Sequence, residues 1–307
     1  MPFVYVVGAL IPRGGAFMGY HVGLVLEKEF GYSMVNVQVG EKTPAKQFDY
    51  PTMPPTITIP QMEKRITKDD LIVVNPSFSK FMFGLRLPGR KISYVQGFQT
   101  YQVLDCRFDL YVSVSALVQE FLRGVYGIET SVIPAFVQLK KLPNPMPWKN
   151  RPPMSALMYI KEGMENQVAA QYVRHQLKTR LPNLKLDVIK NSDLPHVQFM
   201  KRIAAVRYFI NISLAEGFGL ISLEAMALGT FVTGLDGQAG RDYLRFGENS
   251  KACSFKDIDH VPAIIAQCVS ADKSVEAMTA QAMQDALKYD LASFRASWTQ
   301  TLKKFLG

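Results

Sequence analysis

Cysteine is scarce in this chain of 307 residues: Cys106, Cys253 and Cys268 are its three, and none lies in a Cys-x-x-Cys pair. That spacing excludes a disulfide framework and a zinc knuckle and points to a reducing compartment. Long apolar runs are missing as well. Charged residues, polar residues and prolines interrupt every hydrophobic stretch short of the ~20 residues that a membrane-spanning helix needs. No basic side chain precedes the first apolar run, MPFVYVVGAL, and Arg13 follows it, which is the reverse of a signal peptide. The run is therefore predicted to be a first β-strand and the protein to be cytoplasmic. No Walker sequence is present. Gly14-Gly15-Ala-Phe-Met-Gly19 departs from Gly-x-Gly-x-x-Gly, and no acidic residue closes the next strand, so the dinucleotide fingerprint is missing too.

What is present is a folded, aromatic-rich chain. Apolar residues make up 48% and charged residues 20%, with 19 Phe, 13 Tyr and 14 Met, far from the composition of a disordered segment. The length exceeds one ordinary domain and predicts two. Lys and Arg outnumber Asp and Glu by 35 to 26, a net charge of +9 that favours phosphate-bearing partners: nucleotides, nucleic acid or an anionic membrane surface. The excess is spread evenly, +4 over residues 1–146 and +5 over the remainder, so neither half is a basic arm.

Strands and helices alternate along both halves. The first half reads strand Phe3–Leu10, a Pro12-Arg13-Gly14-Gly15 loop, helix Tyr20–Phe30 and strand Ser33–Val39. An irregular excursion with five prolines over residues 43–62 follows. Strands at Asp70–Asn75, Lys91–Val95 and Leu110–Val114, helix Ser115–Tyr126 and strand Thr130–Ile133 complete that half. Leu139–Pro153 packs five prolines and four basic residues into fifteen positions and marks the domain boundary. Beyond it come strand Ala156–Ile160, helix Asn166–Arg180, strand Lys185–Ile189, helix Val197–Val206, strand Tyr208–Ile212, helix Leu220–Leu228 and strand Thr230–Thr233. Helical spacing continues over Val261–Cys268, Ser274–Lys288 and Ser293–Phe305. The fold class is α/β, with two doubly wound parallel-sheet domains whose ligands sit beyond the carboxyl ends of the strands.

One segment carries chemistry. In NISLAEGFGLISLEAMALG, residues 211–229, a strand ends at Ser213, a loop holds Glu216, Gly217, Phe218 and Gly219, and a helix begins near Leu220. The two glycines let backbone N–H groups approach an anion, and the positive end of the helix dipole adds to the attraction. Eight residues at ~1.5 Å each put Glu216 and Glu224 up to about 12 Å apart, the span from sugar to ribose in a nucleotide sugar. The remaining candidates read as structural. His175, His196 and His260 share no metal-ligand spacing with each other or with a cysteine, and Asp257-Ile-Asp259, just before a helix, reads as N-capping rather than as a metal motif.

The Glu-x7-Glu spacing within E-G-F-G-L-x-x-L-E-A-M-A-x-G resembles the donor-binding signature of retaining glycosyltransferases of GT-B fold, the large family 4 type. The resemblance extends at lower strength to Asp109–Ser115 with Glu120-Phe-Leu and Tyr126-Gly127, to the Tyr94–Phe98 loop, and to Gly14-Gly15 with His21. It implies two Rossmann-like domains facing across a cleft: residues 1–142 on the acceptor side, residues 143–292 binding the nucleotide sugar, and a helix at 293–307 crossing back to the first domain.

By the same resemblance, Glu216 contacts the transferred sugar and Glu224 the ribose hydroxyls. The amides of Gly217, Phe218, Gly219 and Leu220 face the sugar and diphosphate. Lys161 neutralises the diphosphate, while Gly14, Gly15, His21 and Gln96 line the acceptor side. Two departures stand out. The family usually has Arg followed by Lys after the first strand of the second domain, where this chain reads Lys161-Glu-Gly-Met-Glu-Asn, leaving Arg241 or Lys190 to substitute. The frequent loop His is replaced by Gln96 and Gly97.

The implied activity is metal-independent, retaining transfer of a sugar from a nucleoside-diphosphate sugar, UDP- or GDP-linked, to a hydroxyl of a saccharide or glycoconjugate, with no cofactor. Domain closure about Leu139–Pro153 would exclude water. The alternatives are transfer to a nucleic-acid base, motivated by the +9 charge, and a non-catalytic nucleotide-sugar-binding protein. Peripheral contact with the inner face of a membrane stays open.

Overall fold

The computed structural model describes residues 1–11, 13–40, 50–74, 81–97, 104–190 and 194–307. Phe98 of the Tyr94–Phe98 loop and Asn75 of the third expected strand lie outside the described residues. The chain divides into two compact units, Met1–Phe136 with Leu291–Gly307, and Val137–Asp290.

The first unit is built from β1 (Phe3–Val7), α1 (Gly14–Phe30), β2 (Ser33–Gln38), β3 (Thr56–Thr58), α2 (Ile59–Arg65), β4 (Leu71–Val74), α3 (Phe83–Arg86), β5 (Arg90–Val95), β6 (Leu110–Ser113), α4 (Ala116–Tyr126) and β7 (Ser131–Val132). Its seven strands form one sheet in the order β3-β2-β1-β4-β5-β6-β7, and every pairing is parallel. Strands in such a sheet are covered on both faces, which is why β1 and β4 read as continuous apolar runs. Tyr5, Val7, Val35, Val37, Ile72 and Val74 point into one core cluster with Met62 and Phe83. The alternate residues face α1, and Gly23 allows that approach: a Cβ there would stand 2.7 Å from Val6 Cγ2 and 2.9 Å from the Met34 sulfur.

The second unit contains β8 (Ser155–Ile160), α5 (Met164–Arg180), β9 (Lys185–Lys190), α6 (His196–Ala204), β10 (Tyr208–Ile212), α7 (Leu220–Ala227), β11 (Phe231–Leu235), β12 (Lys251–Cys253), α8 (Val261–Ser270) and α9 (Asp272–Ala286). Its sheet runs β12-β11-β10-β8-β9, again wholly parallel. Ala156, Met158 and Ile160 face a core shared with α5 and α8. Tyr159 points to the opposite face and packs against Phe199 of α6, ring centroids 5.6 Å apart, so the period-2 alternation of β8 places α5 and α6 on different sides. The last helix, α10 (Leu291–Leu306), belongs to the first unit. Its Trp298 meets Tyr94 of β5 edge to face at 5.1 Å, and Phe294 meets Phe136 at 5.0 Å. No helix among the described residues is long and apolar enough to cross a membrane.

Four expectations need correction. Gly14 and Gly15 are not a loop but the first turn of α1, because Ala16, Phe17 and Met18 are buried and hold the chain helical. The proline-rich stretch 43–62 ends in regular structure: Thr58 and Gln61 form a capping box on α2, and Pro60 occupies its first turn, where a missing N–H costs nothing. The stretch Leu139–Pro153 lies within the second unit, tied down by buried Trp148 and Arg151. Neither Asp257 nor Asp259 caps α8; the residue before that helix is His260, with no side-chain cap bond.

Candidate functional site

In the second unit β8 lies between β9 and β10, and the connections leaving β8 and β10 diverge to opposite faces. At such a switch point the carboxyl ends of adjacent strands open a crevice. Lys161 follows β8 and the loop Ser213–Gly219 follows β10, so sheet topology brings the two together. Lys161 Nζ donates to Glu216 Oε2 at 2.5 Å and to the Ala215 carbonyl at 3.0 Å.

The loop is clamped on several sides. Asn166, buried in the first turn of α5, accepts from the Leu214 N–H at 2.9 Å while its amide donates to the Glu162 carbonyl at 2.9 Å. Gln238 Nε2 donates to the Leu214 carbonyl at 3.0 Å, and the Glu216 N–H donates to the Gly237 carbonyl at 2.8 Å. Phe218 is buried between Tyr243 and Tyr289, with centroids 5.4 and 5.8 Å away. The Tyr243 hydroxyl donates to the Gly219 carbonyl.

Gly219 is the N-cap of α7 at φ 85° and ψ 46°, a left-handed conformation that favours glycine. The N–H groups of Gly217, Phe218, Gly219 and Leu220 have no protein acceptor among the described residues, as the geometry of a helix start dictates. The loop is thus held through its carbonyls, its side chains and the N–H groups of Leu214 and Glu216, and open through the four amides that follow. That is the arrangement of an anion site.

Glu224 sits one turn into α7 with its side chain 5% exposed. Its Oε1 lies 2.9 Å from His196 Nε2 at the start of α6, whereas Oε2 is buried with no hydrogen-bond partner among the described residues. A buried carboxylate oxygen left unpaired is costly to the fold and is a common mark of a group kept for a ligand. Burial pushes the His196 ring toward neutrality, but the charge and hydrogen bond of Glu224 outweigh it and raise the pKa above 6.5. Tyr159, buried beneath the site, is held far above its ordinary value, first by burial and then by Glu216, Glu162 and Glu224. The site therefore pairs Glu216 with Lys161 and Glu224 with His196 at either end of an open helix N-terminus.

Arg241 is engaged elsewhere, its Nε donating to Asp236 at 2.7 Å, and Lys190 is the last residue of β9. The acceptor-side candidates all lie in the first unit. Gln96 Nε2 donates to the Gly15 carbonyl at 2.9 Å, joining the end of β5 to the first turn of α1 next to Gly14. His21 is instead 2% exposed, in the third turn of α1, ringed by Phe17, Tyr20 and Phe136. Burial foremost, with Arg295 and Lys28, pushes its pKa down to about 3. This neutral, enclosed ring does not line a ligand surface, which corrects its assignment to the acceptor side.

Sequence reasoning set His196 aside as a non-ligand and passed over Asn166, Gln238 and Tyr243. Asp236-Gly237 after a strand signals a turn and could have pointed to Gln238; the others had no local signal.

No protein-family model matches the chain, and no curated protein matches it in sequence. Solved structures match it in fold. A glycosyltransferase from Rickettsia africae superposes with a TM-score of 0.73 at 15% identity, covering 99% of both chains. Anabaena HepE in complex with UDP and glucose gives 0.73 at 14% identity, over 99% of this chain and all of the other. A variant of S. aureus TarM in complex with fondaparinux, α-GlcNAc-glycerol and UDP gives 0.64 at 15% identity over 80% of this chain. The chain spans only 58% of TarM's length. At these identities the likeness is one of fold, and that fold is GT-B.

Proposed function

We propose that the protein is a glycosyltransferase that moves a sugar from a nucleoside-diphosphate sugar, UDP- or GDP-linked, to a hydroxyl of a saccharide or glycoconjugate, with retention and without a metal ion. The observation that carries this reading is the pair Glu216 and Glu224 flanking the open N-terminus of α7, with Glu224 Oε2 buried and unpaired. The complexes of neighbours with UDP, glucose and α-GlcNAc-glycerol support it.

In this reading the amides of Gly217, Phe218, Gly219 and Leu220 take the diphosphate. They are preorganised donors aimed at the place where negative charge grows as the glycosidic bond breaks. Lys161 adds the cation, moving from Glu216 to the leaving phosphate, and Glu216 is then free to accept hydroxyl protons from the transferred sugar. Glu224 accepts from the ribose. No protein nucleophile is needed for retention, because the departing phosphate can take the acceptor's proton on the same face. The acceptor side is assigned to Gly14, Gly15 and Gln96.

A second reading, nucleotide-sugar binding without transfer, is favoured by one observation: Arg241 is held by Asp236, so it does not supply the second cation that the resemblance calls for. A thermal-shift screen against UDP-, GDP-, TDP- and CDP-sugars, with and without EDTA, tests binding through mass action. A selective, EDTA-insensitive shift, followed by transfer or slow donor hydrolysis that Glu216→Ala abolishes, is expected. A shift with neither transfer nor hydrolysis selects the second reading, and Glu216→Ala as active as wild type removes the first.

A further inference from the structure

The feature left unexplained by binding alone is His196. It opens α6 directly after Pro195, where the helix dipole disfavours a cation. Even so it stands 2.9 Å from Glu224 and carries a raised pKa, because the nearby carboxylate outweighs burial. Among the described residues the charged and titratable groups on the elements around it are these. Glu224 is the only ionisable residue on α7. On α6 itself Lys201 and Arg202 lie in the last turn, and Arg202 is engaged with Asp187 of β9 at 2.6 Å. Tyr159 of β8, packed on Phe199 of α6, senses Glu224 but is kept protonated by burial.

A hydrogen bond from His196 to Oε1 fixes the Glu224 rotamer so that Oε2 is the oxygen turned toward the ligand. A protonated His196 also cancels the charge of Glu224 beside an incoming dianionic diphosphate.

We propose that His196 is a positioning residue for nucleotide recognition, holding Glu224 in place with Oε2 free for a ribose hydroxyl, so that donor affinity depends on the charge of His196. This rests on the nucleotide-sugar reading above. Affinity is then highest where His196 is protonated and falls as rising pH removes that charge, while a neutral ring with its proton on Nε2 still orients Glu224.

The test is calorimetric binding of UDP-glucose, UDP-GlcNAc and GDP-mannose from pH 5.5 to 9 by wild type, His196→Gln, His196→Ala and Glu224→Gln. Nucleotide sugars are the right probes because their diphosphate has no ionisation in this range. Wild-type affinity is expected to fall about five- to tenfold across the range, the scale of one charge-assisted hydrogen bond becoming neutral. His196→Ala should bind about tenfold more weakly than wild type at pH 6, with a flat profile. His196→Gln keeps a donor toward Oε1; it should recover the wild-type affinity of pH 8–9 and also stay flat. If His196→Ala is misfolded by circular dichroism, the flat profile of His196→Gln decides alone. A pH dependence that persists in His196→Gln, or His196 variants indistinguishable from wild type while Glu224→Gln loses binding, overturns this inference and leaves the nucleotide reading standing. Failure of wild type to bind any of the three donors overturns both.

Discussion

Replacing Glu224 by glutamine separates service to the fold from service to a ligand. The side chain keeps its length and can still offer Oε1 to His196, but the charge is gone. In the unliganded protein two effects oppose each other. The hydrogen bond to His196 falls from the charge-assisted range of about 1.5–3 kcal/mol to the neutral range of about 0.5–1.5 kcal/mol. Against that, an amide is cheaper to bury than a carboxylate whose second oxygen has no partner. The two should cancel to within about 1 kcal/mol, so Tm moves by less than about 4 °C. Donor binding has no such compensation. A ribose hydroxyl donating to an amide oxygen instead of a carboxylate loses about 1–2 kcal/mol, or about 5- to 30-fold in Kd.

The paired assay is a thermal melt without ligand and calorimetry with UDP-glucose, UDP-GlcNAc and GDP-mannose. Affinities within twofold of wild type, or a melting point lowered by more than about 10 °C, would refute the reasoning and make Glu224 a structural residue. The pH dependence of stability adds a signature. His196 has a folded pKa above 6.5, so the stabilisation it draws from Glu224 is fully present below that value and is lost as pH rises through the raised one. The stability of wild type relative to Glu224→Gln should therefore fall as the solution is made more alkaline.

Lys161→Met should leave stability within about 1 kcal/mol, because its pair with Glu216 is partly solvated, yet lower transfer by about 100-fold or more if the amine meets the leaving phosphate; equal initial rates would exclude that role. Arg151→Met is expected to cost about 3–5 kcal/mol, read by urea unfolding. Arg151 is 1% exposed and donates to the carbonyls of Met146, Val206 and Leu228 and to Thr230 Oγ1, so its loss orphans the end of α7; a cost below about 1 kcal/mol would contradict this. His21→Leu should relieve acid sensitivity. With its folded pKa near 3 against 6.5 unfolded, wild-type His21 lowers stability by about 1.4 kcal/mol for each pH unit below 6.5. Parallel urea midpoints for the two proteins between pH 7 and 5 would contradict the burial of a neutral ring.

The two carboxylates, the glycines and the helix they flank fall within nineteen consecutive residues, 211–229. Strand, turn and helix signals there are local, so the segment could be read as an anion site before any contact was known. The same holds for the alternating α/β order: in the second half, strand and helix ends fall within two residues of their expected places, because apolar runs and glycine or proline punctuation act over short distances.

Other features depended on partners remote in the chain. Gly14 and Gly15 signal a loop by composition, and only the packing of Ala16, Phe17 and Met18 makes them helical. His21 at the sequence level is a histidine near a glycine pair; the arrival of Phe136 and α10 encloses it. His196 and Glu224 are 28 residues apart, Asn166 and Leu214 are 48, and Lys161 and Glu216 are 55. Residue type and spacing were enough to single out this loop and helix start as a candidate anion site, with Glu216 and Glu224 as its carboxylates. The parallel sheet decided which cation meets which carboxylate, because strands adjacent in space are joined through helices and their carboxyl ends converge only once the sheet has formed.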